Sequence, residues 1–224
     1  TTNNLLPPHT NKTAILLVKE EGVIAGLQVA EMVFKKFDKN IVWNEKIHDG
    51  KKVKPGDILV EFKGDFRAIL TGERKALNFL QRLSGIATYA NKCIKKVEGY
   101  NVKILDTRKT MPGYRYLDKY AVRMGGASNH RFGLYDMVMI KNNHIQVARG
   151  IKNAVEAIRE KIPEGIKIEV ETSSMEEVKV ALDTNVDIIM LDNMTSTMMK
   201  EAVKLINKRT KIEASGNMTL KRIR

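Results

Sequence analysis

The sequence predicts an α/β protein organised around parallel β-strands. Short apolar runs alternate with helical patterns through the second half of the chain, and polar residues follow the runs. Strands that alternate with helices pair in parallel through right-handed crossovers, so we expect a (β/α) barrel or a doubly wound sheet. The chain has 224 residues, 43% of them hydrophobic, which is enough to bury a core in one large domain or two small ones.

The first part of the chain predicts a small α/β domain. The apolar runs AILLV and GVIAG precede an amphipathic helix, GLQVAEMVFKKF, and the segment VKPGDILVEF follows as β structure between glycine-containing turns. At Thr71 the pattern changes to a long helix, ERKALNFLQRLSGIATYANKCIKKV. We therefore predict one domain over residues 1–72 and a second, catalytic domain over residues 73–224.

The second domain repeats one pattern of strand and helix. Its predicted strands are VKILD, DMVMI, IKIEV, DIIML and KIEAS, and its later helices are VARGIKNAVEAIREK, MEEVKVALD and TMMKEAVKLINKR. Charged or hydrogen-bonding residues stand at the carboxyl ends of these strands. In parallel α/β folds those ends meet at one edge, where the loops form the ligand site. The pattern therefore predicts a polar site at that edge.

The charge of the chain favours an acidic ligand. The formal net charge is +13, and residues 73–131 contain thirteen Lys or Arg but only four acids. Charge alone leaves a basic nucleic-acid-binding module open, but only 6% of the residues are aromatic, which disfavours a base-stacking surface. No apolar run reaches the roughly eighteen residues of a membrane span, and the start lacks the order of a signal peptide. We expect a cytoplasmic protein without nucleic-acid or membrane partners.

The stretch DTRKTMPGYR, residues 106–115, places Arg108 and Lys109 directly after a predicted strand. Cations at a half-buried strand end need a negative partner, because an unpaired charge out of water is costly. Arginine holds carboxylates and phosphates by two-point contacts, so several such residues indicate a ligand with several negative charges. The other candidate cations are Arg74, His130, Arg131 and Lys141.

Two acids, Glu171 and Asp192, also follow predicted strands. Beside an anionic ligand they would hold a divalent cation such as magnesium, or accept hydrogen bonds from sugar hydroxyls. We expect Glu169 to face the opposite side of its strand from Glu171, because residues two apart share a face only in a regular strand. The choice between these two glutamates stays open. The loop ASGN can present backbone N–H groups to a phosphate.

Several segments in order along the chain resemble the quinolinate phosphoribosyltransferase family, also called the nicotinate-nucleotide pyrophosphorylases (carboxylating). The segments are ERKALNFLQRLSGIAT, DTRKTMPGYR, KYAVRMGGASNHRFGL, MIKNNHI, EVE, LDN and EASGN. The resemblance implies an amino-terminal α/β sandwich domain and an incomplete (β/α) barrel domain of the type II phosphoribosyltransferases. It also implies a homodimer with shared active sites, and a reaction of quinolinate with phosphoribosyl pyrophosphate that yields nicotinate mononucleotide, pyrophosphate and carbon dioxide. Magnesium would accompany the pyrophosphate.

The resemblance assigns roles to individual residues. Quinolinate would be bound by Thr107, Arg108, Lys109, His130, Arg131 and Lys141, with Arg74 contributed by the other subunit. Phosphoribosyl pyrophosphate would be bound by Glu171, Asp192, Ser215, Gly216 and Asn217, with Glu171 and Asp192 also near the metal. Lys109 and Lys141 would contact both substrates, and these two lysines with the two acids form the expected catalytic set.

Two relatives of the same fold remain as alternatives: a molybdenum-associated homologue and a nicotinate-specific phosphoribosyltransferase. The set of Arg74, Arg108 and Arg131 favours a dicarboxylate over the single carboxylate of nicotinate. The chain opens without a methionine and stops at MTLKRIR, where a further strand and helix follow in the family. We therefore expect the sequence to be incomplete at both ends.

Overall fold

The structure is a computed structural model that describes residues 2–7 and 10–223, except for the side chain of Asn3. It divides into two compact units, one of residues up to His130 and one of Arg131–Arg222. The predicted domain boundary between residues 72 and 73 falls inside a long helix. It stays a prediction. No helix among the described residues has the length and apolar content needed to cross a membrane.

The first unit contains nine helices and strands among the described residues. They are α1 (Thr2–Leu5), β1 (Asn11–Leu17), β2 (Gly22–Val23), α2 (Leu27–Phe37), β3 (Val42–Glu45), β4 (Lys52–Val53), β5 (Ile58–Asp65), α3 (Phe66–Lys96) and α4 (Arg115–Met124). Strands β1, β5 and β3 form an antiparallel sheet in that order, and β2 pairs with β4. The core includes a cluster of tilted aromatic rings from Phe34, Trp43 and Phe62.

Helix α3 begins at Phe66, seven residues before the start that the sequence predicts. Asp65 caps it by accepting a hydrogen bond from the backbone N–H of Arg67 at 2.8 Å. Gly72 lies inside the helix, where an added Cβ would stand 2.8 Å from the ring of Phe34. The glycine therefore marks a position of close helix packing.

The predicted strand VKILD is wrong. Only an isolated parallel bridge forms there, between Leu105 and Ser128. Val102 and Leu105 are both exposed, so the run does not have the burial of a central strand. The segment that carries Arg108 is instead a loop, and polar contacts hold it in place.

The second unit is a parallel sheet of four strands with helices packed against it. Its elements are β6 (Val138–Ile140), α5 (Asn142–Ala148), α6 (Ile151–Arg159), β7 (Ile168–Thr172), α7 (Met175–Asp183), β8 (Ile188–Asp192), α8 (Ser196–Ile206) and β9 (Lys211–Ser215). The strands lie in the order β6, β7, β8, β9, each parallel to the next. Four of the five predicted strands are thus confirmed, and with them a shared carboxyl edge.

One face of this sheet builds the core of the second unit. Ile168 and Val170 of β7 pack with Ile189 of β8 and with buried residues of α6, α7 and α8. Ser174 and Thr195 cap α7 and α8 by accepting hydrogen bonds from the backbone N–H of the third residue of each helix, at 3.1 and 3.2 Å. Rigid strands backed by helices hold the carboxyl edge in place for the residues described next.

Candidate active site

The loop after Leu105 is anchored by a buried ion pair between Asp106 and Lys119, which comes from α4. The side chain of Lys119 is 2% exposed and that of Asp106 is 8% exposed. The Lys119 ammonium also donates to the backbone oxygen of His130 at 3.1 Å, and Asp106 accepts a bond from the His130 N–H at 2.9 Å. The network thereby holds the backbone of His130, a predicted substrate residue, and anchors the chain at Asp106, two residues before Arg108.

Asn129 completes this network. With its side-chain amide turned to donate, the nitrogen lies 2.8 Å from the second Asp106 oxygen and 3.0 Å from the Lys119 backbone oxygen. The Asp106 carboxylate thus accepts hydrogen bonds on both oxygens, which compensates for its burial. Sequence reasoning gave no role to Lys119 or Asn129, because nothing in their spacing distinguishes a buried lysine from a solvated one.

Arg108 has a donor that its own unit leaves unused. Its Nε atom is buried and has no hydrogen-bond partner in the described part of the chain. A buried donor without a partner costs about 1–3 kcal/mol, so an anion that accepts from it gains correspondingly. Next to it, the Thr107 hydroxyl accepts a bond from the Lys109 N–H at 3.0 Å, while both side chains remain exposed. Thr107 therefore shapes the turn that presents the two cations.

Arg74 lies exposed on α3 and makes no ion pair among the residues that the structure describes. An ordinary salt bridge on its own helix therefore does not account for it. Arg82, about two helical turns further along α3, behaves differently. Its guanidinium donates to both oxygens of Asp118 at 3.0 and 2.7 Å, and this hydrogen bonding raises the pKa of Arg82 against the opposing effect of burial. Arg82 thus fastens α3 to α4, the helix that follows the cationic loop.

In the second unit, Arg131 and Lys141 flank strand β6. One guanidinium nitrogen of Arg131 donates to the backbone oxygen of Met137 at 2.9 Å. The Lys141 ammonium lies 3.7 Å from a carboxylate oxygen of Glu171, with side chains 51% and 14% exposed. A partly exposed pair at this distance is weak, so Lys141 can turn to a ligand at little cost.

Glu169 and Glu171 lie on the same face of β7, and the expectation that they face opposite sides is wrong. Strand β7 pairs with both neighbours in continuous register, so its side chains alternate regularly and residues two apart share a face. That face is the one opposite Ile168 and Val170, which belong to the helix-backed core. Glu169 is fully buried, whereas Glu171 is partly exposed near the carboxyl end. Glu171 is therefore the glutamate that a ligand at the strand ends can reach.

Asp192 ends β8 directly opposite Ser215, the last residue of β9. The loop Ser215–Asn217, which we call the phosphate loop, then turns through positive φ angles of 87° at Gly216 and 52° at Asn217. Gly216 admits no side chain, because an added Cβ would lie 2.2 Å from the Oδ1 atom of Asn193. The structure therefore brings the predicted donor-binding residues Glu171, Asp192 and the phosphate loop to one edge of one sheet.

A parallel sheet whose carboxyl edge carries acids, a lysine and a glycine loop defines an α/β protein with its candidate ligand site at that edge. Two family descriptions match this chain: the N-terminal domain of quinolinate phosphoribosyl transferase over residues 1–84, and its C-terminal domain over residues 86–224. The chain belongs to the quinolinate phosphoribosyltransferase family.

Curated relatives agree with this assignment. A probable nicotinate-nucleotide pyrophosphorylase (carboxylating) of Synechocystis is 47% identical over 207 residues, which cover 91% of this chain and 70% of that protein. The mitochondrial quinolinate phosphoribosyltransferase (decarboxylating) 2b of Nicotiana tabacum is 42% identical, covering 97% of this chain and 67% of that protein.

Solved structures of the family share the fold. The crystal structure of NadC from Streptococcus pyogenes matches with a TM-score of 0.95 and 41% identity, covering 99% of this chain and 79% of that one. The nicotinate-nucleotide pyrophosphorylase of Francisella tularensis gives a TM-score of 0.95 at 40% identity, with the same coverage. The predicted fold class is confirmed.

Proposed function

We propose that this chain is a phosphoribosyltransferase that joins quinolinate to phosphoribosyl pyrophosphate and releases carbon dioxide and pyrophosphate. The product is nicotinate mononucleotide, in the de novo synthesis of NAD. The single observation that carries the proposal is the buried Nε of Arg108, a donor without a partner in its described surroundings, on a loop pinned by Asp106 and Lys119. Relatives at 41–47% identity whose names state this reaction support it.

The acceptor substrate suits the cations. Quinolinate is a pyridine with two adjacent carboxylates, and each charge-assisted hydrogen bond to such a group contributes about 1.5–3 kcal/mol. We assign its recognition to Thr107, Arg108, Lys109, His130, Arg131 and Lys141, with Arg74 supplied by a second subunit of a homodimer. Nicotinate lacks one carboxylate and would leave a cation unpaired, so these residues favour the dicarboxylate.

The donor substrate suits the strand ends of the second unit. Glu171 and Asp192 offer carboxylate oxygens at the carboxyl ends of neighbouring strands, and the phosphate loop offers backbone with no side chain at Gly216. Magnesium prefers oxygen ligands and commonly binds through one or two carboxylates together with substrate phosphates, which fits this pair of acids. Bound in that way, the ion would neutralise charge on the pyrophosphate.

The chemistry depends on position and charge. The pyridine nitrogen forms a bond to the anomeric carbon of the ribose as the bond to pyrophosphate breaks, and Lys109 and Lys141 stabilise the charge that develops on the leaving group. When the adjacent carboxylate leaves as carbon dioxide, the electron pair of the broken bond stays on the ring carbon, where the neighbouring cationic ring nitrogen stabilises it. A proton takes the vacated ring position. We assign no side chain as an obligatory nucleophile, acid or base.

We also propose that the enzyme acts in the cytoplasm. The relatives differ in this respect, since the names of several plant members specify mitochondria or chloroplasts. Fractionation of the source cells, with activity measured in each fraction, tests the placement.

The proposed reaction is tested with quinolinate labelled in its 2-carboxylate, phosphoribosyl pyrophosphate and magnesium. We expect labelled carbon dioxide, nicotinate mononucleotide and pyrophosphate in equal amounts, and no nucleotide from nicotinate. Lys141→Ala should lose most turnover, whereas Lys152→Ala, a change to an exposed lysine on α6, should keep it. Equal turnover in the two variants, or a preference of the wild type for nicotinate, would contradict the assignment.

A further inference from the structure

Asn193 connects the two parts of the donor-binding edge. Its side-chain nitrogen donates to Asp192 Oδ2 at 2.8 Å, and its side-chain oxygen accepts from the Asn217 amide at 3.2 Å. Its backbone N–H donates to the Ser215 oxygen at 3.0 Å. One residue thus contacts the acid at the end of β8 and the loop at the end of β9.

The backbone of Asn193 holds this arrangement in an unusual conformation. Its φ of 54° lies in the left-handed region, which asparagine tolerates better than most residues other than glycine. The amide packs so closely against Gly216 that a Cβ there would lie 2.2 Å from its oxygen. From the phosphate-loop side, the Arg222 guanidinium donates to the backbone oxygens of Gly216 and Met194, the residue after Asn193. Side chains therefore tie the two loops together at two points.

Ordinary loop stability does not explain the use of both ends of this amide. Asn193 is exposed, and substitutions at exposed positions usually change the free energy of unfolding little. Holding an exposed side chain in one rotamer has an entropic cost, which the ordered geometry must offset. The Asn193 side chain instead fixes the distance between Asp192 and the phosphate loop, because the two cannot move apart while its amide bonds to both.

We propose that Asn193 is a positioning residue for the phosphoribosyl donor, a role that rests on the proposed function. The donor carries ribose hydroxyls and phosphate groups on one molecule, so an acid and a phosphate loop that are already fixed in place bind both with less loss of conformational freedom. Asn193 acts through Asp192 and Asn217 and is not itself a catalytic residue.

Two variants separate the contacts. Asn193→Gly keeps the left-handed backbone and its N–H but removes both amide bonds, whereas Asn193→Asp keeps an acceptor for Asn217 and places a like charge beside Asp192. The matched control is Asn185→Gly, at an exposed residue with φ of 52° before the opposite end of β8. The control makes the same chemical change without touching the donor edge.

We expect both Asn193 variants to raise KM for phosphoribosyl pyrophosphate at least tenfold, with KM for quinolinate within twofold of wild type. Calorimetric titration with magnesium pyrophosphate should show a Kd raised by a similar factor, and the melting temperature should match that of Asn185→Gly. Unchanged donor KM and pyrophosphate Kd, or an equal rise in both KM values, would overturn the inference.

The binding experiment also separates this inference from the proposed function. If the wild type turns over quinolinate and the Asn193 variants match the control, the positioning role alone is refuted. If the wild type gives no nucleotide but binds magnesium pyrophosphate more tightly than the variants, the reaction assignment fails and the positioning role is supported.

Discussion

The buried pair of Asp106 and Lys119 gives a sharp prediction for stability. Lys119→Met keeps the length of the side chain but removes the ammonium, which leaves the Asp106 carboxylate buried without its counter-charge. The backbone oxygen of His130 also loses its bond from Lys119. Breaking a buried ion pair by removing one partner costs about 3–5 kcal/mol. Because 1 kcal/mol shifts the melting temperature of a protein of this size by about 2–4 °C, the variant should melt roughly 6–20 °C below wild type.

Differential scanning calorimetry with two further variants checks the cause. Lys152→Met removes an exposed ion pair with Glu156, whose atoms lie 3.9 Å apart with side chains 71% and 59% exposed, and should shift the melting temperature by less than about 2 °C. The double variant Asp106→Asn with Lys119→Met removes both charges and should melt above Lys119→Met alone. If Lys119→Met melts within about 2 °C of wild type, the reasoning is refuted.

Three further predictions concern other parts of the chain. Gly216→Ala forces a side chain into the space of Asn193 at a positive φ, and should raise KM for phosphoribosyl pyrophosphate about tenfold. Burial, and then a hydrogen bond to Asp49, raise the pKa of Tyr120, so the stability it contributes is complete below about pH 10 and is lost at higher pH. The melting temperature of Tyr120→Phe should therefore fall less between pH 9 and pH 11 than that of wild type, and an equal fall in both would contradict this. Burial raises the pKa of Cys93, so a thiol reagent at pH 7 should modify it far more slowly in the folded protein than in urea.

The sequence predicted the second unit best because its signals are local and repeated. The run KIEAS matches β9 residue for residue, and MEEVKVALD matches α7. Helix α7 buries Val178, Ala181 and Leu182 at helical spacing, and a capping serine precedes it. Apart from Arg131, which precedes β6, each predicted site residue of this unit lies at a strand end or in a loop that follows one.

The first unit was harder because its ordering contacts are distant in sequence. VKILD has the composition of a strand, yet only Leu105 bridges to Ser128, and the loop is held by Lys119 thirteen residues beyond Asp106. Helix α4, Arg115–Met124, follows a Pro-Gly turn, and the residues that it buries include the charged Asp118 and Lys119, which a hydrophobic pattern does not mark as buried. Such a network becomes visible only when the fold is known.

The site itself was predicted residue by residue through resemblance, while the residues that support it were not. Arg108 was found because a cation after an apolar run needs a partner. Asn193 stood in the LDN motif without an assigned role, since its importance comes from a left-handed backbone and from two side-chain contacts. Regular alternation along β7 would have predicted that Glu169 and Glu171 share a face. Only the burial of Glu169 shows that Glu171 is the accessible one.

Binding of quinolinate to an Arg108 variant tests the central claim most directly. Calorimetric titration should give a Kd for Arg108→Gln raised about 10- to 150-fold, which corresponds to the loss of about 1.5–3 kcal/mol from one charge-assisted contact. Lys103→Gln, at an exposed lysine just before the same loop, should leave the Kd unchanged. If Arg108→Gln binds quinolinate as tightly as wild type does, the unused guanidinium donor does not recognise the substrate and the account is contradicted.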